Sequence, residues 1–285
     1  MKESSSPTTR RGWGGAGATA GLLAPAALLL LVGFAYPLLK TINLSFTEGL
    51  DDYVWVISDS FNQHVIKQTV MTAIVVTVTC VIISYPYAYY MTIASKRVRL
   101  LLWVIVLLPF WTNALVRLFS WLVILQPEGI LDRMLAVFGI PEAEILGTMP
   151  AVVLTMAQML LPFCLLPMYA TMSKIDPRTL AAASSLGARG LRAWRTVHLP
   201  LALPGVMAGA VTTCILSLGF YLTPLLMGSP RNTMISVLIQ QQVVTTGDLP
   251  KGAALGVTLL VGSIVSIAVV RLLLIPVTRW QGRQG

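Results

Sequence analysis

Long apolar runs alternate with short polar segments along the whole chain. The runs cover approximately residues 18–39, 68–94, 100–125, 148–172, 201–227 and 252–278. Each is near or above the roughly 20 residues that a helix needs to cross the hydrocarbon core of a bilayer. The pattern therefore predicts an all-α polytopic membrane protein, a bundle of six transmembrane helices.

The first apolar run follows a basic segment, as the core of a signal peptide also does. A signal peptide has an apolar core of only about 7–15 residues before its cleavage site. The run here is longer and ends in YPLLKT, which favours a retained transmembrane helix. We predict a mobile cytoplasmic tail at 1–17, the first helix with an external loop at 18–63, a helical core at 64–278 that includes a polar loop at 174–200, and a C-terminal tail at 279–285.

The charged residues of this 56% hydrophobic chain separate by sign between alternate connections. Cytoplasmic connections of membrane proteins accumulate Lys and Arg. The basic connections hold Lys2, Arg10, Arg11, Lys96, Arg97, Arg99, Lys174, Arg178, Arg189, Arg192, Arg195, Arg279 and Arg283. This places both termini in the cytoplasm and explains the net charge of +9 without nucleic acid as a partner. The opposite side receives the acidic segments 48–59 and 128–144, the second of which also predicts a short amphipathic helix.

Several kinds of chemistry lack the residues that they require. No Asp or Glu lies within the six predicted spans, although ion-coupled carriers commonly depend on an intramembrane carboxylate. No phosphate-binding P-loop motif occurs, and the serines within the spans have no neighbouring base. Three cysteines lie far apart in apolar runs and are typical of packed small residues. The sequence predicts no catalytic residue, no metal site and no cofactor bound by this chain.

One charge is placed deep within a predicted span. Arg117 either extends towards the outer interface or lines a polar path with Asn113, which lies one helical turn away. We favour the path. Aromatic and amide residues complete the predicted translocation path, although packing or an interfacial position explains them equally well: Trp111, Asn113, Arg117, Tyr221, Gln240 and Gln241. Two small-residue pairs, Gly205–Gly209 and Gly252–Gly256, suit close helix packing.

The loop at 174–200 has the pattern of two short helices. Asp176 is a candidate N-cap with Pro177 at the first helical position. A helix over 178–186 would be closed by Gly187, and a second would run over about 189–198 and end before Pro200. The second helix has a basic stripe beside an apolar stripe of Leu191, Trp194 and His198. An ordinary topology loop and a DNA-binding helix-turn-helix are weaker explanations than a docking surface for a soluble partner.

The spacing in this loop resembles a signature of the permease subunits of binding-protein-dependent ABC importers. The signature reads Glu-Ala-Ala, three residues, Gly, nine residues, an apolar residue, any residue, and Leu-Pro. It is matched here by Ala182-Ala183, Gly187, Val197 and Leu199-Pro200, whereas Ala181 replaces the family's glutamate. Further segments over about 64–275 resemble the first permease of spermidine/putrescine importers: VLLPFWTNALVRLFSW, LLPFCLLPMYATMSKID, TPLLMG, VLIQQQ and GDLPKGAALG.

The resemblance implies a type I importer permease of the MetI-like class in the inner membrane of a bacterium. It implies a second permease subunit, giving a heterodimer, two ATPase subunits that carry ATP and Mg²⁺, and an extracytoplasmic solute-binding protein. The loop at 174–200, hereafter the coupling loop, would dock on an ATPase through Asp176, Ala181, Ala182, Ala183, Gly187, Arg189, Arg192, Trp194, Leu199 and Pro200. The acidic segments 48–59 and 128–144 are candidate surfaces for the binding protein, and simple solvation explains them equally well.

The implied solute is a polyamine, spermidine or putrescine. Relatives of this permease type also handle opines and other small amino compounds, and a path with Arg117 and no carboxylate is not an obvious polyamine site. Either the binding protein determines selectivity, or the solute carries an anionic group. A stand-alone channel or carrier and an intramembrane enzyme are the alternatives from other classes.

Overall fold

The computed structural model describes residues 16–137, 139, 144–176, 178–179, 183, 185 and 190–281, and in the helices it leaves the side chains of 16–22, 135, 191 and 269–281 undescribed. The described residues are almost entirely helical. The helices are α1 (Ala16–Leu44), α2 (Asp51–Ser58), α3 (Ser60–Ile93), α4 (Lys96–Leu107), α5 (Ala114–Leu125), α6 (Ile130–Val137), α7 (Met149–Met172), α8 (Leu199–Leu218), α9 (Leu222–Met227), α10 (Ile235–Gln240) and α11 (Leu249–Gln281).

Five helical segments of the described chain are long and apolar enough to cross a membrane. They are Leu23–Leu44, Ser60–Ile93, Met149–Met172, Trp194–Leu218 and Leu249–Ala268. A sixth span exists if α4 and α5 are taken as one, although they are bent by 99° relative to each other. The prediction of an all-α polytopic membrane protein is confirmed. Most of the tail predicted at 1–17 lies outside the described residues, and α11 continues through the start of the tail predicted at 279–285.

The third predicted span, 100–125, is not one continuous helix. After α4 the chain forms a 3-10 turn, Leu108–Trp111, because Pro109 has no N–H to donate within an α-helix. The backbone is extended at Thr112, and Asn113 then caps α5 by accepting a hydrogen bond of 2.8 Å from Leu115 N–H. Apolar content alone did not reveal this break.

The fifth predicted span, 201–227, also divides in two. Helix α8 ends at Leu218, followed by Gly219, and a separate short helix, α9, begins at Leu222. The turn is held by Ser236, whose hydroxyl donates a 2.6 Å hydrogen bond to the carbonyl oxygen of Phe220. The chain therefore changes direction at Phe220 and Tyr221.

Helices α3, α7 and α8 pack against one another and form the main core. Glycines of α8 allow its close approach to α7. A Cβ atom at Gly209 would lie 2.5 Å from the carbonyl oxygen of Cys164, and one at Gly205 would lie 2.6 Å from the Thr171 side chain. The predicted close packing at this glycine pair is confirmed. In the second pair, Gly252 contacts the Val243 side chain, whereas a Cβ at Gly256 would meet nothing within 4 Å.

A second, smaller apolar cluster joins α11 to the outer part of the bundle. Its buried residues come from α2, α3, α10 and α11: Val56, Val65, Ile235, Leu238, Ala254 and Leu255. Helix α1 also packs against α11, but most of its described apolar side chains are exposed. This arrangement leaves α1 at the periphery, where its surface suits lipid or another subunit.

Candidate coupling and translocation sites

The start of the coupling loop has the predicted cap. The Asp176 carboxylate accepts a 2.9 Å hydrogen bond from Arg178 N–H, and the Asp176 carbonyl accepts one of 3.0 Å from Thr179 N–H. Positions 178, 179, 183 and 185 are helical, with Ala183 half-buried. The N-cap prediction is confirmed. Four predicted docking residues lie outside the described residues: Ala181, Ala182, Gly187 and Arg189.

The sequence predicts that the second helix of the loop ends before Pro200. The structure shows instead that the helix continues past this residue. Residues Leu191–Ala193 form an α-turn, Trp194–His198 form a π-turn, and the chain continues directly into α8. In the π-turn Leu199 N–H donates to the carbonyl of Trp194, five residues earlier. Pro200 then occupies the first turn of α8, where its missing N–H is tolerated. The loop is thus helically continuous with a membrane span.

A left-handed glycine precedes this helical segment. Gly190 has φ +52°, a conformation that residues with a side chain rarely adopt, and its carbonyl accepts the hydrogen bond from Trp194 N–H. The sequence pattern predicts the turn at Gly187, which lies outside the described residues, and does not single out Gly190. Among the described residues of the loop, Gly190 is the glycine with a positive φ, and it directly precedes the second helix.

The apolar stripe of the second helix packs on aromatic residues of α3. His198, only 3% exposed, shares a 3.0 Å hydrogen bond between its Nδ1 and the Tyr85 hydroxyl. The His198 ring meets the Tyr89 ring edge to face at 4.8 Å, and Trp194 meets Tyr85 in the same way at 5.5 Å. We name Tyr85, Tyr89, Trp194 and His198 the aromatic cluster. It connects the coupling loop physically to α3.

Tyr85 and Tyr89 are not among the site residues predicted from the sequence. They lie in the segment SYPYAYY near the end of α3, where four tyrosines occur within six residues. That density near the end of a span was the available signal. The remaining predicted docking residues follow the helix periodicity: Arg192 is exposed, as is the neighbouring Arg195, whereas Leu199 and Pro200 are half-buried.

The predicted path residues of the third span lie at the break between α4 and α5. Trp111 is 88% exposed, and Asn113 uses its side-chain oxygen as the cap of α5. Arg117 is half-buried, and its Nε is buried without a hydrogen-bond partner. The backbone N–H of Arg117 donates to the carbonyl of Asn113, which places the two residues one turn apart as predicted.

The other predicted path residues belong to different elements. Tyr221 is half-buried at the start of α9, Gln240 is half-buried at the end of α10, and Gln241 is exposed in the π-helical turn Gln241–Thr246. No side-chain hydrogen bond in the described part of the chain joins them to Arg117. The predicted path therefore remains a prediction for this chain.

The acidic segments differ in what they expose. Asp52 and Asp132 are buried, and Asp132 accepts a 3.0 Å hydrogen bond from Glu128 N–H. Asp59 caps α3 by accepting from Phe61 and Asn62 N–H. The carboxylates of Asp59 and Asp132 are engaged in the fold, and burial of Asp52, one of whose oxygens has no hydrogen-bond partner, leaves it poorly placed to meet a partner protein. Glu48, Asp51, Glu128 and Glu144 are exposed, whereas Glu142 lies outside the described residues.

The predicted short helix within 128–144 is present as α6.

Near the other acidic segment, Lys251 links α11 to α2: its ammonium lies 5.7 Å from the Trp55 ring centroid and 2.8 Å from an Asp248 carboxylate oxygen. Hydrogen bonds from the Lys251 side chain and backbone lower the pKa of Asp248. Within the described residues no group of three His, Cys, Asp or Glu side chains is arranged to hold a metal ion.

These features define a class of protein before any comparison is made. Membrane-length helices surround a glycine-packed core, and a helical loop with an exposed basic face continues into one span. This is the architecture of the transmembrane part of a transporter. Comparison with protein families agrees: residues 84–274 match the model described as binding-protein-dependent transport system inner membrane component. The chain belongs to this family.

The relatives extend the match beyond the family region. The chain is 31% identical over 220 residues to the spermidine/putrescine transport system permease protein PotB of Escherichia coli (strain K12), which covers 76% of this chain and 79% of that protein. It is 30% identical over 213 residues to the molybdenum transport system permease protein ModB of Mycobacterium bovis (strain ATCC BAA-935 / AF2122/97), covering 73% and 77%.

A solved structure matches the fold over nearly the whole chain. The bacterial alginate ABC transporter, in complex with alginate pentasaccharide-bound periplasmic protein, contains a chain with a TM-score of 0.75 and 17% identity. The match covers 90% of this chain and 93% of that one. The protein is therefore a multi-pass inner-membrane permease of an ABC importer and not itself an enzyme.

Proposed function

We propose that this permease passes a polyamine, spermidine or putrescine, from an extracytoplasmic binding protein into the cytoplasm. The observation that carries the proposal is the 31% identity to PotB over three-quarters of the chain. It is supported by the resemblance of segments distant from the coupling loop, VLLPFWTNALVRLFSW at the α4–α5 break and TPLLMG at α9. A polyamine is a flexible cation, and the exposed carboxylates Glu48 and Asp51 lie on the predicted outer side.

A solute with an anionic group is the second candidate, and Arg117 favours it. This half-buried arginine lies in α5, and its Nε is without a hydrogen-bond partner. A buried cation without a counter-charge repels a polyamine and attracts a carboxylate or an oxyanion. The similar identity to a molybdenum transport permease is consistent with a path that different solutes can use. An opine or an amino acid would combine amino and acidic groups.

Uptake by the complete transporter in liposomes distinguishes the two solutes. We expect ATP-dependent uptake of labelled spermidine or putrescine that needs the binding protein, and little change with Arg117→Gln. If the solute carries an anionic group, we expect uptake of a labelled amino acid or opine instead. Arg117→Gln should then reduce that uptake about tenfold or more, because a charge-assisted hydrogen bond is removed. Lys67→Gln, which removes a charge on α3, is the matched control. Uptake by this chain alone without ATP would contradict both candidates.

The proposed machine divides its tasks between subunits. This permease would pair with a second permease, and two ATPase subunits with ATP and Mg²⁺ would supply the energy. The coupling loop would insert its first helix, from Asp176 onward, into a groove of one ATPase. Because the second helix is continuous with α8, a displacement of the loop would move a span directly. The predicted path residues would then be exposed alternately to the two sides.

Gly187→Asp tests the docking surface. We expect this change to reduce co-purification of the ATPase about tenfold or more, because it adds a side chain and a negative charge at the glycine of the signature that the coupling loop resembles. Membrane insertion of the permease should remain unchanged. The measurement is the ATPase-to-permease ratio after affinity purification in detergent. Thr196→Ala, on the exposed face of the π-turn, is the control. Normal association in Gly187→Asp would show that the loop docks elsewhere.

A further inference from the structure

A cavity of about 220 Å³ lies at the end of the bundle that carries the coupling loop. The end of α3, the start of α4, the end of α7 and the π-turn surround it. Its polar lining comes from Tyr89, Thr92, Arg99, Ser173 and His198. Its apolar lining comes from Ile93, Met172 and Ile175. The described lining therefore offers one cation, Arg99, and several hydroxyl groups beside an apolar wall.

Arg99 has no anionic partner among the described residues. Within the described part of the chain its guanidinium donates two hydrogen bonds, and both are long: 3.4 Å to the Tyr169 hydroxyl and 3.3 Å to the Ala94 carbonyl. Its Nε is buried without a partner. The only ion pair within the described part of the chain is Asp248–Lys251, so no described carboxylate compensates Arg99. A partly buried guanidinium in this state favours an anion with several acceptor oxygens.

The neighbouring basic residues show that membrane orientation alone does not explain Arg99. Lys96 and Arg97 are exposed at the start of α4 and satisfy the positive-inside pattern. Arg99, two residues later, is half-buried against α7. No acidic residue occupies the first turn of α4, and the helix N-terminus adds a further positive potential there. Arg99 and the start of α4 thus both favour an anion at this side of the cavity.

The surroundings of the cavity are those of a membrane interface. Ile93 and Leu100, on α3 and α4 beside it, are 65% and 66% exposed. A ligand in the cavity would therefore have its anionic group against Arg99 and an apolar part against these side chains. Basic pockets between transmembrane helices at this level bind the head groups of anionic lipids.

We propose that the cavity between α3, α4 and α7 is a binding site for a phosphate group, with Arg99 as its principal ligand. The Tyr169 hydroxyl orients the guanidinium. The hydroxyls of Thr92 and Ser173, which here donate to the carbonyls of Tyr89 and Ala170, would turn to donate to the phosphate. The phosphate comes from a membrane phospholipid whose acyl chains lie along α3 and α4. Because His198 of the aromatic cluster lines the same cavity, an occupant there also contacts the connection between the coupling loop and the spans.

Native mass spectrometry of the purified complete transporter tests this site. The delipidated complex is titrated with phosphatidylglycerol or with a diacylglycerol of the same chains, which lacks the phosphate. We expect phosphatidylglycerol to bind and diacylglycerol to bind about tenfold more weakly or not at all. Arg99→Ala should weaken phosphatidylglycerol binding about tenfold or more. The control Arg97→Ala removes the same charge from the exposed surface and should change binding by less than about twofold.

Two further experiments identify the source of the phosphate and provide a second variant in case Arg99→Ala misfolds. Displacement of the lipid by millimolar inorganic phosphate supports the site with a free anion as its occupant, and retention of the lipid supports the phospholipid. If Arg99→Ala does not accumulate, Thr92→Val with Ser173→Val should still weaken phosphatidylglycerol binding severalfold. Equal losses in Arg97→Ala and Arg99→Ala would overturn the proposal. Unchanged lipid binding with loss of ATPase association in Arg99→Ala would also overturn it, in favour of a carboxylate of the ATPase.

Discussion

Among single methyl additions to α8, Gly209→Ala is expected to lower the thermal stability of the chain the most. The added Cβ would lie 2.5 Å from the carbonyl oxygen of Cys164 and 3.3 Å from its Cα. These are backbone atoms of α7, so neither a rotamer change nor a small side-chain movement relieves the overlap. Overpacking of this kind costs about 1–3 kcal/mol or more. The measurement is the midpoint of thermal unfolding in detergent, together with the amount of inserted protein.

Gly256→Ala is the matched control for this substitution. Gly256 is helical as well, and a Cβ there would meet nothing within 4 Å. Alanine also has a higher helix propensity than glycine by about 1 kcal/mol. The control should therefore unfold at the same temperature as the original chain or slightly above it. Equal unfolding midpoints for the two variants would show that α7 and α8 are not packed as closely as described.

His198→Ala is expected to uncouple ATP hydrolysis from transport. The change removes the ring that contacts Tyr89 and leaves the Tyr85 hydroxyl without its 3.0 Å partner. The exposed face of the coupling loop stays intact, so the ATPase should still associate. We expect uptake to fall about tenfold, since a buried anchor of roughly 1.4 kcal/mol or more is lost. ATP hydrolysis by the reconstituted transporter should change by less than about twofold.

The ratio of solute transported to ATP hydrolysed is the decisive measurement for the aromatic cluster. Tyr85→Phe removes the hydrogen bond but keeps the ring, so its effect should be smaller than that of His198→Ala. Thr196→Ala lies on the exposed face of the same π-turn and should leave the ratio unchanged. A loss of ATPase association in His198→Ala would instead make the cluster part of the docking surface.

Most of the fold could be predicted from the sequence because membranes impose a simple length rule. The apolar runs at 68–94 and 148–172 correspond to α3 and α7, since every backbone polar group in a bilayer must be satisfied within a helix. The cap at Asp176 is equally local, because the Asp176 carboxylate accepts its hydrogen bond from the N–H of Arg178, only two residues later. Such features need only neighbouring residues.

The structure departs from the sequence-based expectations at prolines, where neither hydropathy nor the presence of a proline specifies how the backbone hydrogen bonds rearrange. The run 100–125 is apolar throughout, yet Pro109 and the cap at Asn113 divide it into helices bent by 99°. At Pro200 the opposite occurred: a proline that predicted an end is accommodated after the wider π-turn. Each outcome depends on how the backbone hydrogen bonds are redistributed around one residue.

The amino-acid pattern alone indicates the class of the protein through its helices, their length, the separation of charge and the spacing of the coupling loop. All of these follow from solvation by lipid and from local helix chemistry. The hydrogen bond between Tyr85 and His198, 113 residues apart, is visible only in the folded chain. The same holds for the position of Arg99 beside a cavity with no counter-charge among the described residues. Such contacts arise where the ends of three helices meet, and this packing is settled by side-chain shape rather than by the periodicity of any one helix.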